Sequence, residues 1–213
     1  MRQILLYGDS LSWGLIPGTR DRLAHDKRWP GIMEKALQDM GMNVRVIEDC
    51  LNGRRTAWDD PFKAGRNGLQ GLGQRIEVNS PLDLVILVLG TNDFQSTMQV
   101  DAFNSARGVE TLVNEIRKAP VEPGMDVPAI LIIAPPHITA PVGDMGDKFK
   151  DADIKSQGLV EALRIVADNN GCHFYDSNEV VSSGLIDGVH LDVDAHPVLG
   201  PKVAEVVKGI IGI

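Results

Sequence analysis

Hydrophobic positions along this chain fall into two alternating patterns. Short apolar runs occur at residues 4–7, 44–47, 84–89, 129–134 and 173–175. They are rich in Val, Ile and Leu, as strands covered on both faces require, since neither side of such a strand meets water. Between the runs, apolar residues recur at helical spacing. Ile32, Met33, Ala36, Leu37 and Met40 share one face, as do Val109, Leu112, Val113 and Ile116. Leu159, Ala162, Leu163 and Val166 repeat the pattern before the last run, and Val203, Val206, Val207, Ile210 and Ile211 follow it. Strands alternating with helices predict an α/β fold, a five-stranded parallel sheet between two helical layers (a three-layer α/β/α sandwich). No repeat, low-complexity tract or linker interrupts the 213 residues, a length that suits one domain over 1–213. The longest irregular stretches, 16–28, 52–67 and 135–151, are rich in Gly, Pro or charge.

In an open parallel sheet, ligands bind at the carboxyl ends of the strands. Gly8-Asp9-Ser10-Leu11-Ser12 follows the first run, Cys50-Leu51-Asn52-Gly53 the second, and Gly90-Thr91-Asn92-Asp93 the third. Asp187-Gly188-Val189-His190 comes after the fifth. A serine hydroxyl attacks well only when a base takes its proton. His190 can be that base for Ser10, with Asp187 holding the other ring nitrogen. Their three-residue spacing puts both side chains on one side of a single turn. Attack on an ester carbonyl also places negative charge on its oxygen, which calls for preorganised donors. The Ser10 N–H, the Gly53 N–H and the Asn92 side-chain amide are the candidates, and a residue without Cβ at 53 lets the oxygen approach the backbone.

Composition changes the picture mainly by exclusion. A net charge of −8 argues against a broad nucleic-acid surface and against attachment to anionic membranes. No apolar run is long enough to span a bilayer, and no signal-peptide core precedes Gly8, so a cytoplasmic location is expected. Cys50 and Cys172 form no CxxC pair, and two free thiols are expected.

The blocks Gly8-Asp9-Ser10-Leu11, Gly53, Gly90-Thr91-Asn92-Asp93 and Asp187-Gly188-Val189-His190 resemble, in order, those of the GDSL/SGNH hydrolases. The resemblance covers nearly the whole chain. It implies a flavodoxin-like sandwich and a serine esterase that needs no metal or cofactor. It further implies a catalytic triad of Ser10, Asp187 and His190, with Gly53 and Asn92 helping Ser10 to form the oxyanion hole. Within the family, Ser10-Leu11-Ser12-Trp13-Gly14, Arg28-Trp29, Val46-Ile47-Glu48, Asp59-Asp60-Pro61 and Leu82-Asp83-Leu84-Val85-Ile86 resemble the mycobacterial-type aryl esterases and acyltransferases. That likeness implies a homo-oligomer acting on short acyl esters, with acyl transfer to alcohols or peroxide. Asn52-Gly53 departs from the Ser-Ala of that subgroup, and the 16–28 loop departs as well. The same triad also serves carbohydrate O-deacetylases and thioesterases, and a binding module that has kept the fold is a further alternative.

Several residues carry competing readings. Ser10 is also a helix-capping residue type. Asp192 and Asp194 compete with Asp187 for His190, while Asn92 and Gly53 also suit turns. Trp13, Trp29 and Trp58 are candidates for a pocket wall, Trp13 foremost because it follows the serine. His137 follows the fourth strand in Pro135-Pro136-His137 and is a second candidate for substrate contact. On an extended segment, His190, Asp192, Asp194 and His196 would face one way like metal ligands. The triad accounts better for His190, so no metal site is expected.

Overall fold

The computed structural model describes residues 1–19 and 21–212. Its strands are β1 (Arg2–Gly8), β2 (Val44–Cys50), β3 (Leu84–Val88), β4 (Ala129–Ala134) and β5 (His173–Asp176). Its α-helices are α1 (Ser10–Trp13), α2 (Trp29–Asp39), α3 (Leu72–Asn79), α4 (Ala102–Lys118), α5 (Asp144–Lys148), α6 (Ala152–Lys155), α7 (Leu159–Asn169) and α8 (His196–Ile211). The strands pair in the order β2-β1-β3-β4-β5, parallel throughout. This is the α/β sandwich that the alternating pattern predicts.

Strand periodicity divides the core in two. Leu5, Tyr7, Val85, Leu87, Ile130 and Ile132 point to one face, where Leu72 and Ile76 of α3, Val109 and Leu112 of α4, and Leu163 of α7 cover them. Ile4, Leu6, Ile86, Leu131 and Ile133 point to the other, under Met33 and Leu37 of α2 and Val203 and Val207 of α8. Successive residues therefore serve opposite cores, which is why the runs of the inner strands β1, β3 and β4 are apolar on both faces, while Arg45 and His173 on the edge strands are exposed. Helix α4 starts on Asp101, whose carboxylate accepts the Asn104 N–H at 2.8 Å. It ends on Arg117 and Lys118, whose charges complement the helix dipole. An exposed turn at 120–127 then leads to β4.

Four short helices, α1, α3, α5 and α6, depart from the expectation. Helix α3 buries only Leu72, Gly73 and Ile76 among polar neighbours, too few apolar positions to register as a face. Helices α5 and α6 bury one residue between them, Ala152, and so carry no stripe at all. Among the described residues no helix is long and apolar enough to cross a membrane.

Because β1 lies between β2 and β3, the chain leaves it to one side and returns on the other. That reversal opens a crevice beyond the carboxyl ends of β1 and β3, where open α/β sheets bind ligands.

Candidate active site

Ser10 stands at this crevice as the first residue of α1. Asp9 caps the helix, its Oδ1 accepting the Leu11 N–H at 3.0 Å. The Ser10 N–H belongs to the first turn, where helix geometry supplies no acceptor. Across the crevice, Ser10 Oγ lies 3.0 Å from His190 Nε2, and His190 Nδ1 lies 2.7 Å from Asp187 Oδ2. The Asp187 Oδ1 atom accepts the N–H groups of Val189 (2.9 Å) and His190 (2.8 Å). Burial alone would raise the Asp187 pKa, but the His190 side chain and these N–H groups outweigh it and hold the carboxyl below its usual value. An ionised Asp187 accepts only, so the imidazole proton sits on Nδ1 and the Nε2 lone pair faces the Ser10 hydroxyl.

The local chain accounts for this placement. Gly188 has φ +76°, and a Cβ there would lie 2.5 Å from the Ala140 carbonyl oxygen. The segment after β4 thus packs directly on the turn, with Thr139 N–H donating to Gly188 O (3.0 Å) and Val142 N–H to Asp187 O (3.2 Å). Asp192 is occupied elsewhere: its Oδ2 accepts the Leu185 N–H at 3.1 Å, and Asp194 is exposed. The structure therefore pairs His190 with Asp187.

Gly53 and Asn92 line the same cleft as Ser10, Asp187 and His190, which encloses about 820 Å³. Gly53 has φ +82°, a conformation that bends the chain after β2 toward the crevice and suits glycine. The next residue, Arg54, anchors this loop to the sheet. The guanidinium lies 3.8 Å from the Tyr7 ring centroid, donates to Gly8 O at 3.0 Å and to Asp49 Oδ1 at 2.7 Å, and so ties β1 to β2. Asn92 Nδ2 donates to Asp9 Oδ2 at 2.9 Å, which leaves its second hydrogen available. Burial pushes the Asp9 carboxyl up to about 6 despite the Leu11 and Asn92 donors. Asp93, fully buried and likewise raised to about 6 by burial, accepts the Thr56 N–H (3.0 Å), the Thr56 hydroxyl (2.7 Å) and the Ser105 hydroxyl (2.7 Å). It binds the segment after Gly53 to the Asn92 turn and to α4.

Two expectations about the pocket wall need correction. Trp13 does not line the cleft: Arg22 covers its ring at 4.8 Å and donates to its carbonyl at 2.8 Å, turning it toward the 16–28 loop. His137 is exposed outside the cleft because Asn178 Oδ1 takes its N–H at 2.8 Å and pins the segment beside β5. Trp29 lies in the α2/α8 core. The wall is made instead by Leu15, Phe62, Val142 and Ile186 on apolar stretches and by Asp60, Gln95 and Thr97 on polar ones. Sequence reasoning did not single out these residues; the Asp59-Asp60-Pro61 block was the one signal near them. The supposed metal ligands diverge, since His196 accepts the Trp29 N–H at 3.2 Å in the core while His190 faces Ser10. Among the described residues no three His, Cys, Asp or Glu side chains are grouped to hold a metal ion. Cys50 and Cys172 are free thiols.

Known proteins share both the sequence pattern and the fold. Residues 6–197 match the GDSL-like Lipase/Acylhydrolase family. The native M. smegmatis aryl esterase superposes with a TM-score of 0.93 at 30% identity, over 99% of this chain and 100% of that one. A carbohydrate acetylesterase family member from Sinorhizobium meliloti gives 0.93 at 34% identity over 100% of both chains. An arylesterase of Vibrio mimicus is 34% identical over 91 residues, 43% of this chain and 38% of that protein. The match therefore spans less than two fifths of that curated relative's length. With a family match running through nearly all the strands and the site, the chain belongs to the GDSL-like lipase/acylhydrolase family.

Proposed function

We propose that the chain is a serine carboxylester hydrolase acting on short acyl esters, with Ser10 as nucleophile, His190 as general base and Asp187 as its orienting partner. The observation that carries this reading is the unbroken Ser10–His190–Asp187 array, at 3.0 and 2.7 Å, on the wall of the cleft. His190 Nε2 takes the hydroxyl proton as Ser10 Oγ bonds to the carbonyl carbon. The negative carbonyl oxygen is met by the Ser10 and Gly53 N–H groups and the second hydrogen of the Asn92 amide. As the intermediate collapses, the imidazolium returns the proton to the departing alkoxide, leaving an acyl-enzyme and an alcohol. Water, deprotonated by the same imidazole, then releases the acid and restores the serine. An alcohol entering in place of water would give acyl transfer, a reading supported by the apolar wall that Leu15, Phe62, Val142 and Ile186 offer to an organic acceptor.

Ser10→Ala is expected to leave the fold intact, abolish labelling by a fluorophosphonate and remove nearly all turnover of p-nitrophenyl acetate. Retained turnover would end the assignment of the nucleophile.

Deacetylation of carbohydrates is the second reading, favoured by the polar wall of Asp60, Gln95 and Thr97 and by the S. meliloti relative. The ratio of kcat/KM for an aryl acetate, an acetylated sugar and an acyl thioester separates the substrate classes. Homo-oligomerisation belongs to the proposal too: Phe62, Leu185 and Ile186 expose apolar surface that a second copy would cover. Light scattering that returned the mass of one chain would remove that part.

A further inference from the structure

Asn92 presents a chemical ambiguity. Its amide has a donor end and an acceptor end of nearly equal shape, and only the donor end stabilises an oxyanion. With the two ends exchanged, lone pairs would face the developing charge and repel it. Something must therefore fix which end faces Ser10.

One side of that task falls to Asp9, whose Oδ2 accepts from Asn92 Nδ2 at 2.9 Å. On the other side, Gln95 Nε2 donates to Asn92 Oδ1 at 2.8 Å. Gln95 carries the same ambiguity as Asn92, and Arg55 resolves it. The Arg55 Nη2 atom donates to Gln95 Oε1 (3.2 Å), to Thr97 Oγ1 (2.9 Å) and to Asp60 Oδ2 (3.2 Å). A guanidinium has no acceptor, so the Gln95 oxygen must face it and the Gln95 nitrogen must face Asn92. The direction of every bond from Arg55 to Asp9 is then determined: guanidinium to Gln95, Gln95 to Asn92, Asn92 to Asp9.

Burial sharpens the case. Arg55, Gln95 and Asn92 are 0%, 4% and 3% exposed, so water cannot easily substitute for any of these partners. Arg55 Nε and Nη1 have no hydrogen-bond partner among the described residues. Burying a guanidinium with unmet donors is unfavourable for folding, and an apolar side chain would fill the space at less cost. All three of its acceptors line the cleft.

We infer that Gln95, held by Arg55, is a positioning residue that keeps the donor end of Asn92 turned to the reacting carbonyl oxygen. The inference rests on the reading of Asn92 as an oxyanion donor. Gln95 touches no reacting atom and acts through its neighbour.

The test uses Gln95→Met, Gln95→Glu, Asn92→Ala and the double variant Asn92→Ala/Gln95→Met, with p-nitrophenyl acetate as substrate and melting temperature recorded for each. Methionine keeps the length but loses the donor, and glutamate keeps the shape while setting an oxygen against Asn92 Oδ1. Both single Gln95 variants are expected to lower kcat on the order of ten- to a hundredfold, less than loss of the donor itself, with KM within about twofold. A filler role would be served equally well by the isosteric glutamate. In the double variant, the Gln95 change should cost nothing beyond Asn92→Ala, since its effect passes through Asn92. Unchanged kcat in either folded Gln95 variant, a change confined to KM, or a full additional loss in the double variant overturns the inference. Full activity in Asn92→Ala would instead remove the oxyanion reading beneath it. Should one Gln95 variant not fold, the other still decides.

Discussion

At the scale of single residues, the site depends on hydrogen bonds whose direction is fixed by groups that can only donate or only accept. Asp187 is such a group. Its two oxygens accept one ring N–H and two backbone N–H groups, so it selects the tautomer of His190 as well as its orientation. Asp187→Asn should keep the fold but place an amide donor or a weaker acceptor against Nδ1, favouring the wrong tautomer. The expected loss in kcat is on the order of 10⁴, read from ester hydrolysis at neutral pH; a loss below tenfold would show that Asp187 does not set the tautomer. That Ser10, Gly53, Asn92, Asp187 and His190 would gather at one cleft was legible in the sequence, because each follows a strand or shares a turn with its partner. Gln95 and Arg55 were not, because their partnership joins different strand ends and has no signature along the chain. His137 shows the limit of the strand-end rule. It follows β4 as predicted, yet the Asn178 side chain takes its N–H and leaves it outside the cleft.

At the scale of elements, the contact of α2 with α8 illustrates how burial links structure to pH. His196 opens α8 with 1% exposure, and its Nδ1 accepts the N–H of Trp29, the first residue of α2. Burial lowers its pKa from 6.5 to about 4. Between those values the unfolded chain binds the proton more readily than the folded one, so this contribution is complete above pH 6.5 and is lost as pH falls toward 4. Asp9 and Asp93 act in the opposite sense. Their pKa values rise from 3.8 to about 6, so acidification across that window stabilises the fold through them. His196→Gln keeps an acceptor for Trp29 without the titration. Relative to the parent, the variant should gain stability on going from pH 7 to 4.5, by about 2 kcal/mol. Denaturant unfolding at the two pH values measures this, and parallel losses in both proteins would exclude His196 as the titrating group. Hydrophobic periodicity made α2, α4, α7 and α8 readable. Helix α3 escaped because two buried apolar side chains suffice to seat it when the helix beside it, α4, is already broad.

At the scale of the whole molecule, one sheet shares its residues between two cores, so neither core can form without the other's strands. Leu37 and Leu163 are both fully buried, on opposite faces. Leu37→Ala and Leu163→Ala are each expected to cost about 2–5 kcal/mol. Each should also shift a single unfolding transition, with near- and far-ultraviolet circular dichroism coinciding. A split transition in either variant would mean that the faces unfold separately. The parallel order of the strands was foreseeable in kind from the alternation of runs and helices. Which strands become neighbours followed only from the family resemblance, whose flavodoxin-like sandwich has the observed order, because hydrophobic pattern fixes burial but leaves lateral order to packing.

Ser10 and His190 are 180 positions apart along the chain and lie on either side of the exposed turn at 120–127. A cut in that turn would place hydroxyl and imidazole on different polypeptides. Either fragment would then be inert toward esters by itself, and colour from a chromogenic ester would return only when the two reunite. The molecule thus contains the makings of a two-part sensor whose signal is the reassembly of its own fold.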